Sequence, residues 1–536
     1  MSIWKKSIGI GSMTAAMLLA QPQQISGDRI KAHVRFLSSD LLEGRGVGSR
    51  GGQLTEEYIA AQLALAGAKP AGENGTYFQK VPMIGVNTLP ESKLAVVKDE
   101  QTLDLRWQED FVGATHQQKA DIAFEAEAVF VGHGIVNEQQ KWNDYKGADV
   151  KGKVVVLFTN EPQPENPEVF QGRTLTYAGR WVYKFEEAAR QGAIGCIIVH
   201  TTPTAGYGWD VVRNSWSKED PQMALEAGSQ PLAFAGWLTQ AAGEKLLGLA
   251  GHSVEGLLRA ADSRDFQPIP LGAKIRGTLK ASIRKIESRN VLGILPGGDA
   301  NLRNEYVLFS AHWDHLGVAH PVDGDAIYNG AIDNATGVAV VLETARAYGA
   351  LRQPVRRSIL FAFWTAEESG LRGAEYYSRH PLFPAAKTAI NINYDALFPS
   401  ARTRDVLVSA AQRTTAWPLV QEAAGLYQLE IAADPRPEQG SYYRSDHFML
   451  ARIGVPAFKI GLGNRIYGKP DEFANAEFEA YNTKRYHQPS DEFQEGWDFS
   501  SLQHVAGFGF TLGLNVANQE TIPRWNPGDE FAVSHR

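Results

Sequence analysis

The chain has 536 residues and a formal net charge of −7, from 53 Lys and Arg against 60 Asp and Glu. That length exceeds one ordinary domain, so two or more are expected. With 43% hydrophobic and 21% charged residues it has the make-up of a soluble globular protein, and the acidic balance offers no electrostatic basis for nucleic acid or an anionic membrane.

The first element is Met1-Ser-Ile-Trp-Lys-Lys, an apolar run from Ile8 to Ala20, and a polar exit at Gln21. A basic start, a short apolar core and a polar exit describe a signal peptide over 1–20, and hence an exported protein, periplasmic or secreted. An uncleaved amphipathic helix is the other reading, because Leu18 is not ideal three residues before the cleavage point. No cysteine follows, so a lipoprotein anchor is not expected, and no membrane partner is expected after cleavage. Leu37 to Gly52 reads as a turn-rich loop. A helix follows over Leu54–Ala66, then a strand over Tyr77–Met83.

From Leu94 the period shortens to that of strands: Leu94–Val97, Ala126–Gly134 and Lys153–Phe158. A helix over Lys184–Ala193 leads into an apolar run from Ile194 to Val199. The single cysteine, Cys196, lies in that run, buried and without an intrachain partner. Gly206 to Ser217 is rich in Gly and Trp and is expected to reach toward the cleft. From Lys285, strands alternate with helices. Arg289–Gly297 and Tyr306–Phe309 read as strands, Val338–Tyr348 as a helix capped by Asn334 or Thr336, and Ser501–Asn518 as the last helix. This pattern predicts an α/β fold: a mainly parallel mixed sheet flanked by helices. The long, polar and aromatic stretch Gly461–Tyr486 reads as a rim or lid.

The chemistry is concentrated in this second half. Glu367 and Glu368 end the apolar run Ser358–Trp364. Metal-assisted hydrolysis needs one carboxylate to hold a cation and another to take a proton from water, and an adjacent pair supplies both. His312 follows the strand Tyr306–Phe309, at the strand end where open α/β sheets bind ligands. Asp314 is placed to orient that imidazole. Asp333 precedes a helix, Asp395 ends the run Thr388–Tyr394, and His487 sits in a polar loop. Taken singly, these are equally a helix cap, a loop aspartate and a surface histidine. Together, two His and three acids without a thiolate suit Zn²⁺, with Co²⁺ or Mn²⁺ as alternatives. Five donors exceed the three usual for one catalytic zinc, which suits a two-ion centre.

Five segments carry a specific resemblance: Ala311-His-Trp-Asp-His, Gly330-Ala-Ile-Asp-Asn-Ala-Thr-Gly, Thr365-Ala-Glu-Glu-Ser-Gly, Asn393-Tyr-Asp and Tyr486-His-Gln-Pro-Ser-Asp. In that order they resemble the M28 metallopeptidases, co-catalytic zinc aminopeptidases and related carboxypeptidases with a zinc-exopeptidase fold. The resemblance implies that Asp333 bridges two Zn²⁺ ions, that His312 and Asp395 complete one, and that Glu368 and His487 complete the other. It further implies that Glu367 is the general base, that Asp314 holds His312 with a cis peptide bond after it, and that Tyr486 stabilises the oxyanion. Tyr145-Lys-Gly-Ala-Asp-Val-Lys-Gly-Lys-Val-Val-Val and Ala188-Ala-Arg-Gln-Gly-Ala-Ile-Gly-Cys-Ile-Ile-Val resemble a protease-associated (PA) domain. The implied layout is catalytic domain over 27–85 and 286–536, interrupted by a β-rich PA-like insertion over 86–285.

The implied substrate is a peptide, and the implied activity release of N-terminal residues. Arg444 and Asp446 both lie in the loop Ser441–Phe448, one suited to a terminal carboxylate and the other to an ammonium, so this loop leaves a carboxypeptidase open. An M20-type amidohydrolase, a glutaminyl cyclase and a non-catalytic receptor-like scaffold are the remaining alternatives. An insertion that precedes His312 and a full donor set weigh against them.

Overall fold

The computed structural model describes residues 25–138, 140–162, 170 and 172–532. The expected signal peptide, 1–20, lies outside them. No helix among the described residues is long and apolar enough to cross a membrane.

Two sheets are joined by one strand. The first uses β1 (Phe78–Thr88), β2 (Asp220–Met223), β3 (Ile269–Leu295), β4 (Tyr306–His312), β5 (Ser358–Trp364), β6 (Thr388–Tyr394), β7 (Asp405–Val408), β8 (Glu430–Ala432) and β9 (Ala457–Leu462). Their order is β8–β7–β9–β6–β4–β5–β3–β1–β2. Pairs β4–β5, β4–β6, β6–β9 and β7–β8 are parallel, and β7–β9, β5–β3, β3–β1 and β1–β2 antiparallel. Every residue of β5 and β6 is buried. These central strands are covered on both faces, which is why they read as continuous apolar runs rather than alternating ones.

Helices flanking this sheet include α1 (Gly27–Leu37), α2 (Arg50–Leu65), α4 (Thr336–Gly349) and α6 (Ser500–Asn518); α5 (Phe473–Lys484) follows β9, and α3 (Trp209–Trp216) belongs to the other sheet. Helices α1, α2, α4 and α6 pack with β4, β5 and β6 into one core. The second helix starts at Arg50, four residues before the expectation, because Ser49 Oγ caps it by accepting from Gly52 N at 3.0 Å.

Strand β3 runs 27 residues. Its first half alternates buried and exposed side chains and pairs with Lys93–Lys98 and Asp121–Phe130 of the second sheet. Its second half pairs with β1 and then β5. The strand expected from Arg289 begins instead at Ile269: basic residues spaced along 274–285 make this part a half-exposed strand that does not read as an apolar run. The second sheet continues through Val154–Phe158, Gly195–Val199, Phe234–Leu238 and Phe111–Ala114, with the first three parallel. Cys196 is buried there, as expected. The Gly- and Trp-rich stretch forms α3, packed through Val212, Trp209 and Trp216 on this sheet's core.

Candidate metal centre

His312 is the last residue of β4, Asp395 follows the end of β6, and Glu367 and Glu368 follow β5 through a turn in which Ala366 takes φ 52°. Three neighbouring parallel strands thus deliver their donors to one edge of the sheet. Asp333 comes from the turn before α4, and His487 (φ 55°) from the loop after α5. All six side chains meet. His312 Nε2 lies 3.3 Å from Asp333 Oδ1, 3.5 Å from Asp395 Oδ1 and 3.9 Å from Glu367 Oε2. His487 Nε2 lies 3.6 Å from Asp333 Oδ2 and 2.9 Å from Glu368 Oε2. Asp333 therefore turns one oxygen to each imidazole. Donor atoms of His312, Asp333 and Glu368 fall within 4.8 Å of one another, as do those of His312, Glu367 and Asp395.

A further layer fixes these groups. His312 Nδ1 is 3.1 Å from the Asp314 carbonyl and 3.9 Å from its carboxylate, which instead accepts from Glu367 N at 3.1 Å. Asp314 thus holds the histidine by its main chain and the glutamate turn by its side chain. The expected cis bond after Asp314 is a correction: among the described residues the cis bond is Asp333–Asn334. Asp491 accepts from Ile332 N and Asp333 N, each at 3.1 Å through Oδ2. His315 Nδ1 donates to Glu368 Oε1 at 2.6 Å, and Lys459 Nζ to Asp395 Oδ2 at 2.9 Å. The buried Arg45 donates to the carbonyls of Leu37, Trp313, Asn329 and Gly330. From the second sheet, Ser215 Oγ is 2.8 Å from His487 Nδ1, and Asn214 Nδ2 donates to the His487 carbonyl at 3.0 Å.

His315 and Asp491 were not singled out as functional in the sequence, although both sit inside the quoted motifs. Lys459, Arg45, Asn214 and Ser215 carry no local signal. They reach the site only through folding.

The charge balance calls for cations. Against burial, His487 and His315 hold Glu368 at about 2, and Lys459 and His312 hold Asp395 below the usual carboxylate range. Burial, with Asp446, Glu368 and Asp395, pushes Glu367 well above it. Against burial, Glu368 and Asp333 raise His487 to about 9. Four clustered carboxylates with two imidazoles, and a His487 Nε2 that has no hydrogen-bond partner, fit a divalent metal site made of nitrogen and oxygen donors.

The remaining expected residues lie around this cluster. Tyr486 stacks on His487 with ring centroids 4.0 Å apart, and its hydroxyl accepts from Arg444 Nη2 at 3.3 Å. Asp446 is fully buried, and neither carboxylate oxygen has a hydrogen-bond partner. Burial, then Asp314, Asp395 and Glu368, raises it well above the carboxylate range. A cavity of about 1220 Å³ opens over the cluster, with α5 on its rim and Arg180 and Tyr207 of the β-rich segment in its wall.

A profile for Peptidase family M28 matches residues 290–508. Over 148 residues the chain is 32% identical to Aminopeptidase NAALADL1 of Rattus norvegicus, covering 26% of this chain and 18% of that protein. Over 252 residues it is 29% identical to the Probable lipoprotein aminopeptidase LpqL of Mycobacterium tuberculosis, covering 44% of this chain and 47% of that one. The chain thus matches under half the length of these curated relatives. Among solved structures, an aminopeptidase from Aneurinibacillus sp. strain AM-1 shares the fold with a TM-score of 0.54, at 20% identity over 95% of this chain and 98% of that chain. A zinc aminopeptidase from Bacillus subtilis aligns with a TM-score of 0.50 at 16% identity, over 95% and 97% of the two chains.

Proposed function

We propose that the chain is a member of peptidase family M28, whose profile matches residues 290–508, and that it is a zinc-dependent aminopeptidase that releases N-terminal residues from peptides. The observation that carries this reading is the carboxylate of Asp333 turned to both His312 and His487. That arrangement supports two Zn²⁺ ions sharing Asp333, one completed by His312 and Asp395, the other by Glu368 and His487. Such ions, when bound, polarise the scissile carbonyl and make water a nucleophile near neutral pH.

The chain's own residues divide the remaining work. Glu367 lies beside His312 but outside the ligand set, and takes the proton of the attacking water and returns it to the leaving amine. Tyr486 offers its phenol to the developing oxyanion, held in line by Arg444. Asp314 couples the two halves, because one residue fixes both His312 and the Glu367 main chain.

A second reading has an observation of its own. Arg444 and Arg180 both face the cavity, and Arg180 has no carboxylate partner among the described residues; burial and the neighbouring Arg444 push it down to about 10. A guanidinium pair in a cleft suits a substrate carboxylate, which keeps carboxypeptidase activity as the alternative. Incubating the zinc-loaded protein with short peptides blocked at either end separates the two. An N-terminal block that stops cleavage supports the aminopeptidase, and a C-terminal block that stops it supports the carboxypeptidase. Cleavage of neither free peptide would sink both.

Residues 86–285 are read as a PA-like insertion and the leader over 1–20 as an export signal; an N-terminal residue determined on protein recovered from culture tests the latter. The complete donor set speaks against a receptor-like scaffold, for which purified protein would hold no stoichiometric zinc.

A further inference from the structure

The geometry points to Ser215, on α3 of the β-rich segment, as a positioning residue that holds the imidazole of His487 in the single neutral form able to take a metal ion through Nε2. The inference rests on the metallopeptidase reading above and extends it, because it makes the β-rich segment part of the metal site.

A serine hydroxyl has one proton to give. Ser215 Oγ lies 2.7 Å from the carbonyl of Val211, four residues back on the same helix, and 2.8 Å from His487 Nδ1. The hydroxyl donates to that carbonyl. Oγ then has only lone pairs to offer His487, and Nδ1 must carry a hydrogen to meet them. When the ring is neutral, the proton it keeps is on Nδ1, and the lone pair of Nε2 is left facing Asp333 and Glu368. The opposite tautomer would put a proton on Nε2, where an ion has to sit. An outer partner of this kind fixes both the tautomer and the angle of a ligating ring.

The same helix also grips the main chain. Asn214 is fully buried, and its Nδ2 donates to the His487 carbonyl at 3.0 Å and to Gln488 Oε1 at 3.1 Å. His487 itself takes φ 55°, a left-handed conformation that a non-glycine residue keeps only when its surroundings impose it. Helix α3 is anchored in turn. Trp216 packs edge-on against Trp181 and Trp237, with ring centroids 5.2 and 6.3 Å away. The hold on His487 therefore derives from the core of the second sheet, not from the catalytic sheet.

The test uses the full chain as wild type, Ser215→Ala and Ser215→Thr. Zinc stoichiometry and affinity are read by competition with a chromophoric chelator, and the melting temperature is read without metal. We expect Ser215→Ala to bind one zinc equivalent about 10- to 100-fold less tightly while the other is unchanged. The metal-free melting temperature should stay at the wild-type value, and Ser215→Thr, which keeps the hydroxyl, should restore the affinity. Wild-type affinity in Ser215→Ala would overturn the inference. So would a loss shared equally by both equivalents, with a lower metal-free melting temperature and no rescue by Thr. Wild-type protein that holds no zinc would instead overturn the metallopeptidase reading.

Discussion

Glu367 and Glu368 are neighbours in sequence with opposite surroundings. Glu368 is clamped between His315 and His487 and held low, whereas burial with Asp446, Glu368 and Asp395 raises Glu367 and makes it the stronger proton acceptor of the two. This contrast suits the roles proposed for them, Glu368 as ligand and Glu367 as base. Glu367→Gln should retain zinc at wild-type stoichiometry and lose about 10²- to 10⁴-fold in kcat, measured by metal analysis alongside turnover. The histidines carry a pH prediction. Glu368 and Asp333 raise His487 to about 9 in the metal-free chain, so below that pH the ring is protonated and an ion must displace the proton. Zinc affinity should therefore rise as pH increases from 6 toward 9, with protons released on binding; titration in two buffers of different ionisation enthalpy measures that release. His312, Asp333, Glu368 and Asp395 were legible in the sequence as candidates because each ends an apolar run or sits in a glycine-containing turn, whereas His487, in a polar loop, was legible only through the resemblance of Tyr486-His-Gln-Pro-Ser-Asp. Ser215 and Asn214 were not, because their partner lies about 270 positions away and a serine in an amphipathic helix announces nothing.

At the scale of elements, the turn before α4 ties the metal-facing loop to the sheet. Asn334 Oδ1 accepts from Gly337 N at 3.0 Å, and its Nδ2 donates to the Tyr394 carbonyl at 3.0 Å. Of the two expected caps, Asn334 fills the role; Thr336 Oγ1 donates back to the Ile332 carbonyl at 2.8 Å. Helix α4 can approach β6 this closely because residue 337 is glycine. A Cβ there would meet Asn334 Oδ1 at 2.2 Å and the Tyr394 carbonyl at 2.6 Å. Gly337→Ala should cost about 1–3 kcal/mol, seen as a lower denaturation midpoint, and should loosen Asp333 with it. Central strands and helices were readable from periodicity. The full length of β3 was not, because its partners change from one sheet to the other midway and each half reads as a different kind of strand.

Across the whole molecule, the proposed metal centre would couple stability to metal content. Asp333, Glu368 and Asp395 crowd a buried space, and each ion bound relieves that repulsion only in the folded chain. At a free zinc concentration a thousandfold above the dissociation constant, one site contributes about 4 kcal/mol. Chelation should therefore lower the melting temperature, and zinc alone should restore it, as calorimetry would show. The two units also meet away from the metal. Leu175 N donates to the Pro437 carbonyl at 3.0 Å, and Asn482 Nδ2 to the Gly206 carbonyl at 3.2 Å.

These contacts add to a covalent fact: a single unbroken strand, β3, belongs to both sheets. Swinging the β-rich segment aside would require tearing that strand's hydrogen bonds on one side or the other. The β-rich wall of the cavity, with Arg180 and Tyr207, is thus held at a fixed place over the cluster by the backbone itself.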